Sequence, residues 1–425
     1  MFGRRMDARK TALVMVGLPA RGKSYTARKL ARYLTWLGHP TRVFNVGQYR
    51  RNALGSQKRA DFFDPENRDA VFAREELAQA ALDDLFHWLF EGGEVGIYDA
   101  TNTTVARRRM LRERCEREGV AVIFIESICD DPALVAANVR ETKLHSPDYA
   151  GVDPEEAVRD FRQRIAHYER SYEPLVDDDK SYVKLINAGQ QVVINRIEGY
   201  LPARVVYFLM NLRLTRRPIW LTRHGESLFN IEERIGGDSD LTVRGELYAR
   251  SLARFMEGRG AQARPLTVWT STMKRTMQTV EHLPIASTQW RILDEIDAGV
   301  CDGMTYAQIR ESMPTEWIAR GSDKFRYRYP RGESYEDVIQ RVDPLIVEIE
   351  RHTRPLLIVA HQAVIRALYA YLMDRPPREC PHLPIPLHTV IELSPNAYGC
   401  DEHRFPLDPG PPPQASASVP PPTTF

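Results

Sequence analysis

The sequence has almost no net charge, no paired-cysteine spacing and no long apolar run. Lys and Arg total 58 against 57 Asp and Glu, a formal charge of +1. No global field therefore favours nucleic acid or an acidic membrane, and arginine clusters need local explanations. Five cysteines (Cys115, Cys129, Cys301, Cys380 and Cys400) stand apart without CxxC spacing, which argues against a disulfide framework or a zinc site. No stretch approaches the ~20 apolar residues of a membrane span. The leading MFGRRMDARK has no signal-peptide core. No internal repeat is visible. These absences predict a reducing, cytoplasmic setting.

What is present is 425 residues of ordinary globular composition, 43% hydrophobic and 27% charged, long enough for two domains. Short β-branched runs at 11–17, 41–46, 94–100, 120–128 and 182–188 predict buried strands. Helical apolar spacing lies between them at 25–37, 69–90, 106–117 and 132–144, with a further helix expected over 157–172. Such alternation predicts a mainly parallel sheet covered on both faces. It restarts after Pro218, with strands at 218–223, 266–271 and 355–361 and helices at 243–256, 273–283, 335–351 and 363–373. The fold class is α/β in both halves. The expected division is an arm at 1–10, domains at 11–215 and 216–405, and a Pro-rich tail at 406–425. With almost no apolar anchors, that tail reads as disordered.

The segment GLPARGKS, 17–24, follows a predicted strand and opens a predicted helix. That is the context a G-x-x-x-x-G-K-[ST] pattern needs. Its glycines let backbone N–H groups turn in around phosphate oxygens, and the helix N-terminus adds positive potential. Gly17, Ala20, Arg21 and Gly22, with Tyr25 just inside the helix, are expected to surround ATP. Lys23 would reach the β and γ phosphates and Ser24 would ligate Mg²⁺. YDATNTT, 98–104, ends a strand beside this loop. Its Asp99 suits Mg²⁺ or the acceptor hydroxyl, with helix capping as the plain alternative. Phosphoryl transfer also needs charge neutralisation. Arg50, Arg51, Arg74, Arg107 and Lys143 supply cations, although each alone reads more often as a solvated helix face than as a ligand.

LTRHGES, 221–227, places a histidine at a strand-to-loop junction. A nucleophilic histidine must attack through an unprotonated nitrogen, so its other ring nitrogen is expected to donate to a fixed acceptor such as a backbone carbonyl. STMKRTMQT then supplies Arg275, and VAHQA ends a strand in His361. In that order the set makes His224 a phosphoryl acceptor, surrounded by Arg223, Arg275 and His361, with Asn230 bonding the same group. Glu295, in LDEIDAG, is the expected general acid for the leaving alkoxide and base for the later water.

GLPARGKSY, VFNVGQYRR, DATNTT, IESICDDP, SPDY, GGDSDLT, EIDAGVCDGMTY, RYPRGESYED and PLHTV run in order along residues 10–405. Together they resemble the 6-phosphofructo-2-kinase/fructose-2,6-bisphosphatase family. The second half also resembles the histidine phosphatase superfamily, which includes phosphoglycerate mutases. The resemblance implies an adenylate-kinase-like P-loop domain followed by a phosphoglycerate-mutase-like domain. It implies that Lys23, Ser24 and Asp99 serve ATP–Mg²⁺, that Asn138 lies near the nucleotide and that Lys143 stabilises the transferring phosphoryl group. Arg50, Arg74, Thr101, Arg107, Arg164 and Tyr168 would hold fructose 6-phosphate. Tyr306, Arg320, Lys324, Tyr335, Gln362 and Arg366 would hold the 6-phosphate of fructose 2,6-bisphosphate. Gln362 stands where many mutase-active relatives have Gly, and Ser24 replaces the usual Thr while keeping the hydroxyl. Cys129 matches a family Cys near the site, and a buried structural thiol is its plain alternative.

The implied activity is synthesis of fructose 2,6-bisphosphate and its hydrolysis through a phosphohistidine. The alternatives are an active phosphatase alone, another sugar phosphate, or a metabolite-sensing scaffold. The family further implies a homodimer through the kinase domains. The short lead before the first strand suggests no long regulatory arm. Ser416 and Ser418 lack a basic kinase-recognition sequence, so little phosphorylation control is expected.

Overall fold

Six consecutive buried residues, TALVMV, form β1 (Thr11–Val16), as a strand covered on both faces requires. The computed structural model describes residues 10–56, 58–143, 147–213, 215–396 and 399–410. The chain divides into two compact units, Met1–Thr215 with Val347–His352, and Arg216–Ile346 with Thr353–Phe425.

In the first unit β1 is followed by α1 (Lys23–Trp36), β2 (Thr41–Asn45), α2 (Val46–Leu54) and α3 (Arg68–Phe90). Next come β3 (Val95–Asp99), α4 (Val105–Arg117), β4 (Ala121–Ile128), α5 (Pro132–Lys143) and α6 (Pro154–Glu169). β5 (Tyr182–Ile186), β6 (Gln191–Asn195) and α7 (Tyr200–Asn211) complete it. The sheet order is β2-β3-β1-β4-β5-β6, parallel except for β6. Leu82, Leu85 and Leu89 of α3 pack with Ala12, Val14, Phe44 and Phe124 from the strands. The strand order reverses beside β1, and the crevice at the carboxyl ends of such a switch point is where an α/β sheet takes ligands.

The second unit runs through β7 (Ile219–Arg223), α8 (Leu228–Ile231), α9 (Val243–Gly258), β8 (Thr267–Thr270), α10 (Lys274–Val280) and β9 (Ser287–Gln289). It continues with α11 (Tyr306–Ser312), α12 (Pro314–Ser322), α13 (Tyr335–Arg351, from Val347 on counted with the first unit), β10 (Leu356–Ala360) and α14 (Gln362–Leu372). It ends in the hairpin β11 (Thr389–Pro395) and β12 (Cys400–Pro406). The order is β12-β11-β7-β10-β8-β9, with β7, β10, β8 and β9 parallel. Register decides what meets at the carboxyl edge. Ala360 pairs with Arg223, and Val359 pairs with Thr270. The residues that follow, His361, His224 and Ser271, therefore emerge side by side.

Two expectations shift. The helix expected at 157–172 runs Pro154–Glu169, because Asp153 accepts from the amides of Glu155 and Glu156 and Pro154 opens the first turn. Pro406 and Leu407, expected in the tail, belong to the fold. Pro406 ends β12, the Leu407 amide donates to His388 O at 2.8 Å, and Leu407 packs against the core. Residues 1–9 and 411–425 lie outside the described residues, as do most of the expected arm and tail.

Candidate active sites

The first site grows from the end of β1. Gly17 has φ 127°, and a Cβ there would sit 2.5 Å from Ser127 O, so the turn admits only glycine. Its amide donates to Thr101 O at 2.9 Å, tying the loop to DATNTT. Gly22, φ 82°, caps α1 with no side-chain acceptor, so no side chain competes with an anion for the first helical amides. Lys23 is buried and donates to Leu18 O at 2.6 Å. Asn138 Nδ2 donates to Ala20 O at 3.2 Å, Arg21 Nη1 to Pro19 O at 3.2 Å, and the Tyr25 ring lies 5.5 Å from Lys29 Nζ.

Ser24 and Asp99 meet through a residue the sequence reading missed. β2–β3 register sets Asn45 opposite Asp99, and Asn45 Nδ2 donates to Asp99 Oδ2 and, at 3.5 Å, to Ser24 Oγ. The signal was the Asn in VFNV, a polar residue closing an apolar strand. A cavity of about 650 Å³ beside the loop is lined by Leu18, Arg21, Cys129, Val135, Val139 and Ile165. Cys129 thus faces it as a buried free thiol. Among the described residues no cluster of three or more His, Cys, Asp or Glu side chains is gathered to hold a metal.

Four of the six residues expected to hold fructose 6-phosphate gather around Phe63. The Arg164 guanidinium lies 3.5 Å from the ring centroid and that of Arg50 5.5 Å. Arg74 Nη1 donates to Phe63 O at 3.3 Å, and the Tyr168 ring stands 6.2 Å away. Arg50 and Arg164, with Arg51, share one buried carboxylate: Asp148 accepts from Arg50 Nη2 at 2.7 Å and lies 3.8 Å from Arg164 and 3.9 Å from Arg51. Burial alone would raise the Asp148 carboxyl, but Arg50, then Arg164 and Arg51, bring it below its ordinary range. Arg107 and Thr101 stand apart from Phe63: Arg107 Nη2 donates to Tyr98 OH at 2.8 Å, and Thr101 holds the Gly17 amide. Lys143 ends α5, but its side chain lies outside what is described.

The second site lies at the edge set by β7, β10 and β8. His224 is 3% exposed, and its Nδ1 bonds Gly225 O at 2.7 Å. Gly225 is required by packing, since a Cβ would fall 2.6 Å from Gly245 O in α9. The His361 ring centroid is 5.1 Å from that of His224. Arg275 Nε donates to His361 Nδ1 at 3.2 Å, and Ser271 Oγ bonds His361 Nε2 at 2.8 Å. Burial, then the Arg275 and Arg223 guanidiniums, holds His224 well below its ordinary range despite the Gly225 carbonyl. Burial, Arg275 and His224 do the same to His361. Both rings are neutral at pH 7. Arg223, pushed down to about 10 chiefly by burial, still carries its charge there.

Glu295 Oε1 accepts from the amides of Ile296 at 2.9 Å and Ala363 at 3.2 Å, the latter in the first turn of α14. Both amides bond the same carboxylate oxygen. Arg341 fixes the neighbouring backbone, donating to Ile292 O at 2.7 Å and Asp294 O at 3.0 Å while pairing with Glu333 at 2.8 Å. Asn230 serves the loop as well: its Oδ1 accepts from Ser227 N at 3.0 Å and Ser227 Oγ at 3.1 Å. Ser271 and Arg341 were not expected. The signal for Ser271 was a serine directly after a buried strand; Arg341 lies in QRVDP, outside every motif, and only its partner Glu333 falls in GESYED.

Beyond the histidines is a cluster of cations and phenols. Arg320 donates to Tyr306 OH at 3.1 Å and Tyr329 OH at 2.9 Å. Arg366 donates to Tyr335 OH at 3.0 Å, and Lys324 to Pro381 O at 3.1 Å. Burial, then Arg320 and Arg366, lowers Lys324 to about 8. Gln362 opens α14 directly after His361. Tyr329 is the member that sequence reasoning missed.

Comparison with known proteins covers both units. A family model described as 6-phosphofructo-2-kinase matches residues 1–216, and one described as histidine phosphatase superfamily (branch 1) matches residues 219–406. A protein of Arabidopsis thaliana named 6-phosphofructo-2-kinase/fructose-2,6-bisphosphatase is 50% identical over 413 residues, 96% of this chain and 55% of its own. The Gallus gallus protein of that name is 50% identical over 395 residues, 92% of this chain and 83% of its own. 6-phosphofructo-2-kinase/fructose-2,6-bisphosphatase 1 of Homo sapiens is 50% identical over 394 residues, with the same coverage of each chain. The chain thus spans about half the length of the plant relative and most of the two vertebrate ones.

Proposed function

Because the chain belongs to the 6-phosphofructo-2-kinase/fructose-2,6-bisphosphatase family and carries both of its enzymatic domains, we propose that it makes fructose 2,6-bisphosphate from fructose 6-phosphate and ATP and hydrolyses it back. What supports this reading is one arrangement in each unit: Ser24 of the GLPARGKS loop linked through Asn45 to Asp99 in the first, and a neutral His224 beside Arg223, Arg275 and His361 in the second.

In the kinase unit Gly17, Ala20, Arg21, Gly22, Lys23 and Tyr25 embrace the ATP phosphates, with Asn138 bracing the loop. The apolar cavity beside them suits the base. Ser24 and Asp99 offer a hydroxyl and a carboxylate oxygen, held together by Asn45, and such hard donors fit Mg²⁺. Mg²⁺ there would neutralise phosphate charge. Arg50, Arg74, Thr101, Arg107, Arg164 and Tyr168 hold fructose 6-phosphate. Its 2-hydroxyl oxygen attacks the γ-phosphorus, the bond to the β–γ bridging oxygen breaks, ADP leaves, and the hydroxyl proton passes to solvent. Lys143 stabilises the moving phosphoryl group. Asp99 orients the hydroxyl. Among the described residues no stronger base stands beside the loop, so positioning and charge carry the rate.

In the phosphatase unit, His224 Nε2 attacks the 2-phosphoryl phosphorus, and Arg223, Arg275, His361 and Asn230 bind its oxygens. The bond to the sugar O2 breaks as Glu295 donates a proton to that oxygen. Glu295 then takes a proton from water, whose oxygen displaces His224 from phosphorus and releases phosphate. Tyr306, Arg320, Lys324, Tyr335, Gln362 and Arg366 hold the 6-phosphate. Protein incubated with ATP and fructose 6-phosphate should form an acid-labile sugar bisphosphate, and no product from folded protein would overturn the kinase half. Substrate labelled in its 2-phosphate should label the chain, and labelling that persists in His224→Ala refutes the nucleophile.

A homodimer through the first unit and a cytoplasmic setting complete the proposal. β6 is an edge strand paired to β5 alone, with Ile194 exposed on it and Tyr200, Tyr207 and Met210 exposed on α7. The cysteines are free, and among the described residues no helix is long and apolar enough to cross a membrane. Sedimentation as a monomer at working concentration would refute the dimer.

A further inference from the structure

The peptide unit that orients His224 is held from both sides. Its carbonyl, Gly225 O, accepts from His224 Nδ1 at 2.7 Å. Its amide, Glu226 N–H, donates to His388 Nε2 at 3.1 Å. We infer that His388 is a positioning residue for the phosphohistidine step, acting on the tautomer of His224 through this single peptide. The inference rests on the nucleophile reading above.

Hydrogen bonds in a chain polarise one another. An acceptor on the Glu226 amide makes the Gly225 oxygen a stronger acceptor for His224 Nδ1–H. That keeps the proton on Nδ1, leaves the Nε2 lone pair for attack, and stabilises the positive charge that grows on the ring as the N–P bond forms. Neighbouring amides of the loop have acceptors that do not titrate. His224 N donates to Ala360 O at 3.0 Å, Gly225 N to Thr279 Oγ1 at 2.9 Å, and Ser227 N to Asn230 Oδ1 at 3.0 Å. His388 alone among these partners changes charge, and protonation at Nε2 turns its acceptor into a donor facing a donor.

His388 is built into place. Its backbone is left-handed, φ 56°, just before β11, and its ring lies 4.8 Å from that of Tyr248, whose hydroxyl bonds Thr222 of β7. The charged groups facing it are Arg244 of α9, Glu226, Arg223 of β7 and Asp408 beyond β12, with His224 near enough to feel its charge. Burial and Arg244, with Arg223, outweigh Glu226 and Asp408 and hold it below its ordinary range, so the acceptor is present at neutral pH.

The test uses the full chain and two variants. His388→Ala removes the acceptor; His388→Asn suits left-handed backbone and offers an amide oxygen instead. Single-turnover labelling of His224 by fructose 2,6-bisphosphate should slow about tenfold to hundredfold in His388→Ala, the cost of one buried unpaired donor. KM should stay close to wild type. His388→Asn should recover most of the rate and move the acid limb of its pH profile to lower pH. The kinase rate of the same preparations should be unchanged. Wild-type labelling in His388→Ala, an equal loss in His388→Asn, an unmoved acid limb, or a matching loss of kinase rate would each overturn the inference. A wild-type chain that fails to label at His224 defeats the nucleophile reading itself, a separate outcome.

Discussion

Asp148→Asn changes one oxygen to nitrogen at the centre of three guanidiniums and almost nothing in volume. Asp148 and Arg50 are 5% and 4% exposed, so neither charge is screened by water. Removing one partner of such a buried pair leaves the other charge uncompensated, at a cost of about 3–5 kcal/mol. At the lower figure, a unit of this size should unfold about 6–12 °C earlier. The contribution also has a pH sign. A carboxyl held below its ordinary value stabilises the fold above the unfolded-state pKa of about 3.9, and the stabilisation is lost as pH falls through the folded value. The wild-type and variant midpoints should therefore converge in acid and separate toward neutrality.

The effect on fructose 6-phosphate could run either way, and geometry decides it. With the sugar phosphate bound by these arginines as proposed, a carboxylate among them competes for them, but it also aims them. Asp148 takes Arg50 through Nη2 only, and the buried Arg50 Nη1 and Arg164 Nε have no hydrogen-bond partner among the described residues. Donors are thus left for an incoming dianion, so aiming outweighs competition. Asp148→Asn should raise KM for fructose 6-phosphate while phosphatase kinetics stay at wild type. Calorimetry and steady-state kinetics on one preparation check both halves. An unchanged midpoint with a lowered KM would refute the reasoning and make Asp148 a competitor.

How far the sequence could be read follows from how each feature is encoded. β1 and β10 were legible because strands covered on both faces are continuous apolar runs. β6 and β12 were not, because their exposed and half-buried positions dilute the apolar signal. The P loop and the His224 segment carry their chemistry in contiguous residues. Asn45, Asp148, Ser271 and His388 do not: each reaches its partner only through sheet register or a long-range contact, at sequence separations of 54, 98, 90 and 162. The SPDY and PLHTV segments were noticed as motifs, but nothing in one chain says what an aspartate or histidine touches across such a distance.

Two further predictions concern the phosphatase unit. Ser271 Oγ stands 2.8 Å from both His361 Nε2 and Thr276 Oγ1, so Ser271→Ala frees one side of the His361 ring. The phosphatase turnover should fall about tenfold to hundredfold with the kinase unaffected, and a change under about twofold in stopped assays would refute the role. Lys324 is the lysine of the proposed 6-phosphate site, beside the guanidiniums of Arg320 and Arg366. Burial and those two guanidiniums lower it to about 8, so it is charged below that pH and loses its charge above it. KM for fructose 2,6-bisphosphate should be flat on the neutral side and rise through about pH 8. Lys324→Arg keeps a charge across that range, so its KM profile should stay flat even if binding is weaker throughout. The contrast matters because the 6-phosphate is itself a dianion there and does not titrate further. An alkaline rise of equal steepness in wild type and variant would mean that the charge lost is not on Lys324.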